Sequence, residues 1–382
     1  MNLAGAGNSR YFNISPSAIS EHISSAVSRR EYPGSARISG AGLNADLNLH
    51  YTLDTDLQRE AERLLQKYNP DYAVIVAMDP ENGRVLAMAD SSRAPLPEDS
   101  LALRNTYPAA SVSKIVTAVT ALDQGVVDVD TVIPFNGKTT SLYKKNVFRH
   151  KDNKWTRKPT FRESFAKSNN TVFGRVGAVS LGGEQLMDYF QRLGFNMRFT
   201  SDFHFPNGTV ELDPSDAWQV AESASGYTRR NTLSPLHAAA LAATAVNGGK
   251  MIAPVLVDRV TGPQGIPLYV YENPAVSPAM RQETSDKLKQ LMTATVTMGS
   301  ARRFFRGFHR KSYKDVVVGG KTGSLTGTDP AGRYDWFAGF AEQGHRKIAF
   351  AALCINKEKW YVRSARLSRE LLEYYFQPPQ NA

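Results

Sequence analysis

Pro108-Ala-Ala-Ser111-Val-Ser-Lys114-Ile-Val-Thr-Ala-Val-Thr-Ala-Leu122 is the stretch that decides how this chain is read. From Ser111 onward it is apolar on nearly every side of a helical wheel, and it stops near Gly125. A helix apolar all round lies at the centre of a fold rather than on its surface. Yet this one carries a lysine. Ser111 and Lys114 stand one turn apart, so their side chains share a face. Lysine is seldom buried without a partner or a chemical task. Burial and nearby positive charge lower the pKa of an ammonium and free a neutral amine. Such an amine can take the proton of a serine hydroxyl, and a serine at a helix start gains from the positive end of the dipole as charge develops on its oxygen. The competing reading is structural, with Ser111 as N-cap and Lys114 snorkelling to the surface.

Outward from this helix the pattern changes twice. Leu47 to Leu53 alternates like a strand, and Asp54 caps a helix through Leu57, Ala61, Leu64 and Leu65. Tyr72 to Met78 and Val85 to Ala89 are β-rich and are split by Asp79-Pro-Glu-Asn-Gly83, which predicts a hairpin. Helices are predicted at Met187 to Leu193, Leu236 to Val246 and Thr284 to Val296. Strands then return at Val316 to Val318 leading into Lys321, at Asp335 to Phe340 and at Lys347 to Ile355, before a closing helix from Ser364 to Tyr375. Two strands, many helices, three strands and a helix imply an α+β fold, in which an antiparallel sheet flanked by helices holds an inserted all-helical lobe. Residues 1–46, rich in Ser, Gly, Ala and Asn, read as a partly ordered N-terminal lead-in with a short helix near Ala18 to Ser28. Residues 47–382 read as one domain, with a sheet lobe at about 47–107 and 250–382 and a helical lobe at about 108–249.

Ser-x-x-Lys alone is a weak signal, for it occurs at Ser111/Lys114, Ser141/Lys144 and Ser164/Lys167. Context separates the three. Ser141 sits in a polar, basic stretch, Ser164 precedes Lys167-Ser-Asn-Asn170, and only Ser111 opens an apolar helix. Two further motifs occur once each: Ser168-Asn-Asn170, and Lys321-Thr-Gly323 followed by Ser324. The second ends a Val-Val-Val-Gly-Gly run. Glycine there leaves room for a substrate backbone at a strand edge, and a lysine with a hydroxyl suits a carboxylate. The seven histidines are scattered singly, outside any Gly-x-Ser-x-Gly or His-Glu-x-x-His context, so neither a histidine-driven nucleophile nor a zinc site is signalled. No metal and no cofactor are expected. The one cysteine, Cys354, lies in an apolar run and reads as a buried small hydrophobe.

The formal charge is +10, and Lys138 to Lys167 alone holds ten Lys or Arg against two acidic residues. A second basic run, Arg302 to Lys314, is interleaved with Phe304, Phe305, Phe308 and Tyr313. Such runs suit nucleic acid, an anionic membrane or an anionic polymer, or are simply solvated loops. No apolar stretch reaches the roughly 18 residues of a membrane helix, and no basic-then-apolar leader opens the chain.

The ordered set Ser-x-x-Lys, Ser-x-Asn, Lys-Thr-Gly resembles the penicillin-binding proteins and serine β-lactamases. So do Leu53-Asp-Thr-Asp-Leu-Gln58, Ala77-Met-Asp-Pro-Glu-Asn-Gly-Arg-Val-Leu-Ala-Met88, Leu233-Ser-Pro-Leu-His-Ala-Ala239 and Asp335-Trp-Phe-Ala-Gly-Phe340, which look like parts of a transpeptidase domain. The resemblance runs over roughly 47–376. It implies a D,D-transpeptidase that forms peptidoglycan cross-links through an acyl-Ser111 intermediate and is blocked by β-lactams. Lys114 would be the base for acylation, Ser168 a proton relay to the leaving amine, and Asn170 a holder of the substrate amide. Lys321 and Thr322 would fix electrostatics and the terminal carboxylate, Gly323 would let the substrate backbone lie close, and the backbone N–H groups of Ser111 and Ser324 would hold the oxyanion. Ser324 stands where the family often has threonine, but only its backbone is needed. The implied partners are peptidoglycan stem peptides, β-lactam antibiotics and cell-wall, divisome or elongasome proteins, with no nucleic acid. The implied setting is extracytoplasmic, in the periplasm or on the outer face of the cytoplasmic membrane, although neither an anchor nor a glycosyltransferase module is legible. A D,D-carboxypeptidase or endopeptidase, using water as acceptor, and a β-lactam sensor without turnover stay open. A β-lactamase is disfavoured, because no Glu-x-x-Leu-Asn element is present.

Overall fold

The computed structural model describes residues 14–40, 43–94, 97–272, 274–308, 310 and 313–377. The first 13 residues of the predicted lead-in, and positions 309, 311 and 312 of the second basic run, lie outside that set.

A five-stranded antiparallel sheet organises the molecule, in the order Val317–Thr328, Ala331–Gln343, Arg346–Asn356, Tyr72–Met78, Val85–Ser92. The three late strands pair as consecutive hairpins. The last of them then receives the strand Tyr72–Met78, with Ala349 opposite Met78 and Ile355 opposite Tyr72. Side chains on a strand alternate between faces, and here the alternation separates two cores. Val74, Val76, Met78, Trp336, Ala338, Phe340, Ala351 and Leu353 join the larger one, which takes in the helical body. Ala73, Ile75, Ala77, Phe337, Ala341, Ile348, Phe350 and Cys354 join the smaller one, with the helices Thr55–Tyr68 and Ser364–Tyr375. The first of these helices starts where Asp54 accepts the N–H groups of Asp56 and Leu57, as a capping carboxylate should. The second matches its predicted bounds. Cys354 is fully buried and its thiol is pushed up by desolvation, as its apolar run implied.

On the other face Pro235–Ala243 lies buried at every position, capped by Ser234, with Pro235 at the start where a missing N–H costs nothing. Lys114–Asp123 is buried from Lys114 through Leu122. It does not begin at Ser111 as predicted. Ala110–Ser113 forms a 3₁₀ turn and the α-helix follows it. Ala110, where that turn starts, has a φ of 47°, a left-handed value that an α-helix cannot include.

Of a second antiparallel sheet, Ser35–Gly40, Leu43–Tyr51, Val257–Thr261 and Pro267–Val270, the sequence reading found only the strand it placed at Leu47 to Leu53. Its first strand follows the helix Pro16–Ser28, whose Ile19, Ile23 and Val27 repeat every fourth residue and enter the larger core with Ile38, Leu47 and Leu49. A border at 46/47 therefore falls inside a strand. No helix among the described residues is long and apolar enough to cross a membrane.

Candidate active site

The turn that carries Ser111 is clamped from three sides. Ala109 N–H bonds the carbonyl of Asn231 at 2.8 Å, and Trp336 Nε1 donates to Pro108 O at 2.9 Å. Beneath the turn lies Gly226, at φ 65° and closing the helix Ala217–Ser225; a Cβ there would sit 1.9 Å from Ala110 O. Gly323 approaches from the edge strand. A Cβ on it would lie 3.3 Å from Val112 Cγ2 and 3.4 Å from Ala109 O. Gly323 thus lets the edge strand lie close against the serine's own turn, and it also lines the cavity beside that turn. Left-handed φ at a non-glycine residue costs energy and persists only where its surroundings enforce it. Two such residues flank this site, Ala110 and Ser168, the latter at φ 57°.

Lys114 is the hub. It is 0% exposed. Its Nζ lies 2.9 Å from Ser111 Oγ and 2.7 Å from Asn170 Oδ1, and it also bonds the carbonyl of Ser225. The ring of Phe173 stands 5.7 Å away. Burial, aided by the nearby charge of Lys321, holds the Lys114 pKa well below the usual ammonium range.

Ser168 and Asn170 are fixed by the start of the helix Asn170–Arg175, which the Asn169 side chain caps by accepting Val172 N–H. The Asn170 amide is oriented at both ends: Oδ1 accepts from Lys114, and Nδ2 donates to Thr140 O at 2.9 Å. Each end of the group expected to hold a substrate amide is therefore already engaged within the protein. Lys321, also fully buried, donates to Ser168 Oγ and to Thr322 O, both at 2.9 Å, above the ring of Phe165. Desolvation pushes its pKa down to about 7. Thr322 Oγ1 meets Ser300 Oγ at 2.5 Å.

All three motifs therefore converge. Ser111, Ser168, Asn170, Thr322, Gly323 and Ser324 line one cavity of about 380 Å³, and the buried Lys114 and Lys321 stand behind that lining, bonded to Ser111 and Ser168. The other two Ser-x-x-Lys pairs behave differently. Ser141 Oγ donates to Lys138 O, and Lys144 lies exposed over Trp218. Ser164 is buried, and Lys167 reaches Glu163 at 3.5 Å. Sequence reading missed the Ser225 carbonyl, Gly226, Tyr227, Ser300 and Arg303. A main-chain acceptor leaves no side-chain signature, although a glycine closing a helix was a usable sign for Gly226. His237 is structural. Its Nε2 donates to Leu193 O, its Nδ1 accepts Gly208 N–H, and burial lowers its pKa to about 4.

An antiparallel sheet with a helical body on one face, and a buried serine–lysine pair where the two meet, defines the architecture of the lysine-assisted serine acyltransferases. Within that class the chain belongs to the penicillin-binding protein transpeptidase domain family, whose model matches residues 73–373. The resemblance read from the motifs is thereby confirmed. The chain is 28% identical over 304 residues to Stage V sporulation protein D of Bacillus subtilis, which takes in 74% of this chain and 44% of that protein. It is 26% identical over 355 residues to the peptidoglycan D,D-transpeptidase PbpA of Mycobacterium tuberculosis, which takes in 81% and 67%. The chain thus spans less than half the length of the Bacillus relative. The fold matches penicillin-binding protein A from M. tuberculosis, solved as an imipenem acyl-enzyme complex, with a TM-score of 0.69 at 23% identity over 87% of this chain and 80% of that one.

Proposed function

We propose that this chain is the catalytic domain of a peptidoglycan D,D-transpeptidase that works outside the cytoplasm through an acyl-Ser111 intermediate and is inhibited by β-lactams. The observation that carries the reading is the partner set of Lys114. A neutral amine has two N–H donors and one lone pair. Two of its three neighbours, Asn170 Oδ1 and the Ser225 carbonyl, can only accept, and Asn170 is locked in that orientation by Thr140. They take the two N–H groups, and the lone pair is left facing Ser111 Oγ.

The chemistry follows from there. Ser111 Oγ attacks the carbonyl carbon between the two terminal D-Ala residues while its proton passes to Lys114. The oxyanion sits between the N–H groups of Ser111 and Ser324. The C–N bond breaks, and the leaving D-Ala nitrogen takes a proton through Ser168, which Lys321 holds in place. The terminal carboxylate meets Thr322 and Ser300. An amine of a second stem peptide then attacks the ester and the steps run in reverse. Asp335 is the only carboxylate among the described residues lining the cavity, and it is engaged by Arg363 at 3.1 Å and by Ser364 N–H at 2.8 Å. No free carboxylate is thus at hand there to activate water, which favours a long-lived acyl-enzyme over β-lactamase turnover. Cell-wall assembly proteins of the divisome or elongasome are the partners such a domain would meet.

The test is incubation with purified disaccharide-pentapeptide polymer, with products resolved by mass. Cross-linked dimers are expected. Loss of terminal D-Ala without dimers would replace the proposal with a carboxypeptidase. In parallel, a penicilloyl adduct on Ser111 should persist for many minutes to hours after a chase followed by intact-protein mass spectrometry. Rapid recovery of free protein with excess penicillin hydrolysed would sink the transpeptidase reading.

A further inference from the structure

The basic segment that follows the central helix is a built surface rather than a loose loop. Phe135 and Arg157 exchange backbone hydrogen bonds at 2.9 and 3.0 Å, closing the segment at its base. Asn136 ties its interior, donating to Lys151 O at 2.9 Å and accepting Thr156 Oγ1 at 2.9 Å. Arg175 crosses beneath, donating to Pro134 O and Asn146 O, both at 2.7 Å. Leu142 and Val147 are buried under the segment against Ala221. Lys138, Lys144, Lys145, Arg149, Lys151 and Lys154 all point to solvent, and among the described residues none pairs with a carboxylate. Lys158 alone reaches one, Asp152 at 3.3 Å. Between the cations stand aromatic side chains that a globular surface would ordinarily cover: Trp155 at 74% exposed and Tyr143 at 58%.

The surface begins at the mouth of the catalytic cavity. Thr140 and Lys167 line that cavity. Asn170 N–H bonds Thr139 O at 2.7 Å, and its side chain bonds Thr140 O. A polymer threaded into the cavity therefore runs directly onto the cations. From this juxtaposition we propose that Lys138–Lys158 is a docking surface for the polymeric substrate itself, where the free carboxylates of neighbouring, unreacted stem peptides meet the lysines and the sugar rings lie against Trp155 and Tyr143.

The inference rests on the proposed function and names how that site holds its polymer. Lysines dominate the surface, and an ammonium is a point charge without the paired geometry of a guanidinium, which suits a repeating polyanion better than one fixed anion. A flat anionic bilayer is disfavoured by position, because contact with cations that reach the cavity mouth would cover the opening, whereas a strand can lie along them and leave it clear. Surface charge of this density raises the local concentration of an oppositely charged ligand and is screened by salt.

The test uses the full chain with Lys144, Lys145, Arg149 and Lys151 changed together to Gln, none of which touches the reacting groups. Retention on peptidoglycan stripped of all other attached polymers should fall about tenfold at low ionic strength, and the difference should vanish at high salt. Penicillin acylation should keep its wild-type rate. Coupling the stem-peptide carboxylates to glycinamide with a carbodiimide, which neutralises them and frees no new acid, should abolish the wild-type advantage as completely as the substitutions do. Equal retention of wild type and variant at low salt would reduce the surface to a solvated face. Retention that survives neutralisation of the stem-peptide carboxylates, or stronger binding to vesicles of anionic phospholipid than to peptidoglycan, would overturn the assignment. Failure of wild type to acylate with penicillin would instead strike the proposed function and leave the retention result to be read by itself.

Discussion

Ser111/Lys114 and Ser164/Lys167 have the same spacing, and Lys167 even lines the same cavity, yet their chemistry is opposite. At the first pair the lysine is sealed from water and held by a serine, an amide oxygen and a main-chain carbonyl. At the second the lysine side chain is 52% exposed and turned to Glu163, while the serine hydroxyl is buried with no hydrogen-bond partner. Spacing puts two side chains on one face of a helix. Which of the two is buried, and what acceptors wait there, decides whether the amine is a base or a solvated cation. A carboxylate partner stabilises the ammonium form, whereas desolvation and a second lysine work against it.

The comparison is broken most directly at the serines. Ser111→Ala is expected to abolish labelling by a fluorescent penicillin altogether. An adduct mapping to Ser164 or Ser141 would reverse the assignment. Next in size is Lys114→Ala, expected to slow acylation by roughly 10²–10⁴-fold with the fold kept, as judged by circular dichroism and stopped-flow labelling. A near-wild-type rate would move the base elsewhere, to Ser168 with Lys321.

The third effect is read from pH. Acylation needs Lys114 neutral, so its rate falls as pH drops through that lysine's depressed pKa. It also needs Lys321 charged, so the rate falls again as pH rises past the value of about 7 to which burial lowers it. A bell is expected, with an alkaline limb that approaches about tenfold per pH unit. A rate that climbs steadily to pH 9 would show that the Lys321 charge is not required. The smallest effect sharpens the contrast. Ser164→Ala and Ser141→Ala should leave acylation within about twofold, and Ser164→Ala should hold or slightly raise the thermal midpoint, since it removes a buried hydroxyl that has no partner.

Much of this site was legible because the chemistry needs side chains of particular types at helical or strand spacing. Ser111, Lys114, Ser168, Asn170, Lys321, Thr322, Gly323 and Ser324 could all be named from the order of residues alone, as could the hairpin at 72–92 and the closing helix. The rest depended on backbone that the text does not encode locally. The Ser225 carbonyl that accepts a hydrogen bond from Lys114 has no side-chain signature. The left-handed Ala110 looks like any alanine. The sheet that joins Ser35–Gly40 to Val257–Thr261 through Leu43–Tyr51 depends on pairing between distant segments, which no local period reveals.

The central sheet is assembled from segments far apart in the chain: Tyr72–Met78 finds its second partner only in Arg346–Asn356, with the whole helical body between them. Closing a loop of that size costs roughly 5 kcal/mol in chain entropy before any contact rewards it, from the (3/2)RT ln n dependence. Folding of this domain is therefore a late event. Until the last strands arrive, the hairpin at 72–92 waits with one edge unpaired, and the cavity beside the serine–lysine pair lacks the wall that carries Thr322 to Ser324. Under the proposed function, acylation by substrate or by antibiotic awaits the strands through Asn356, and that single topological link makes them the gatekeeper of the activity.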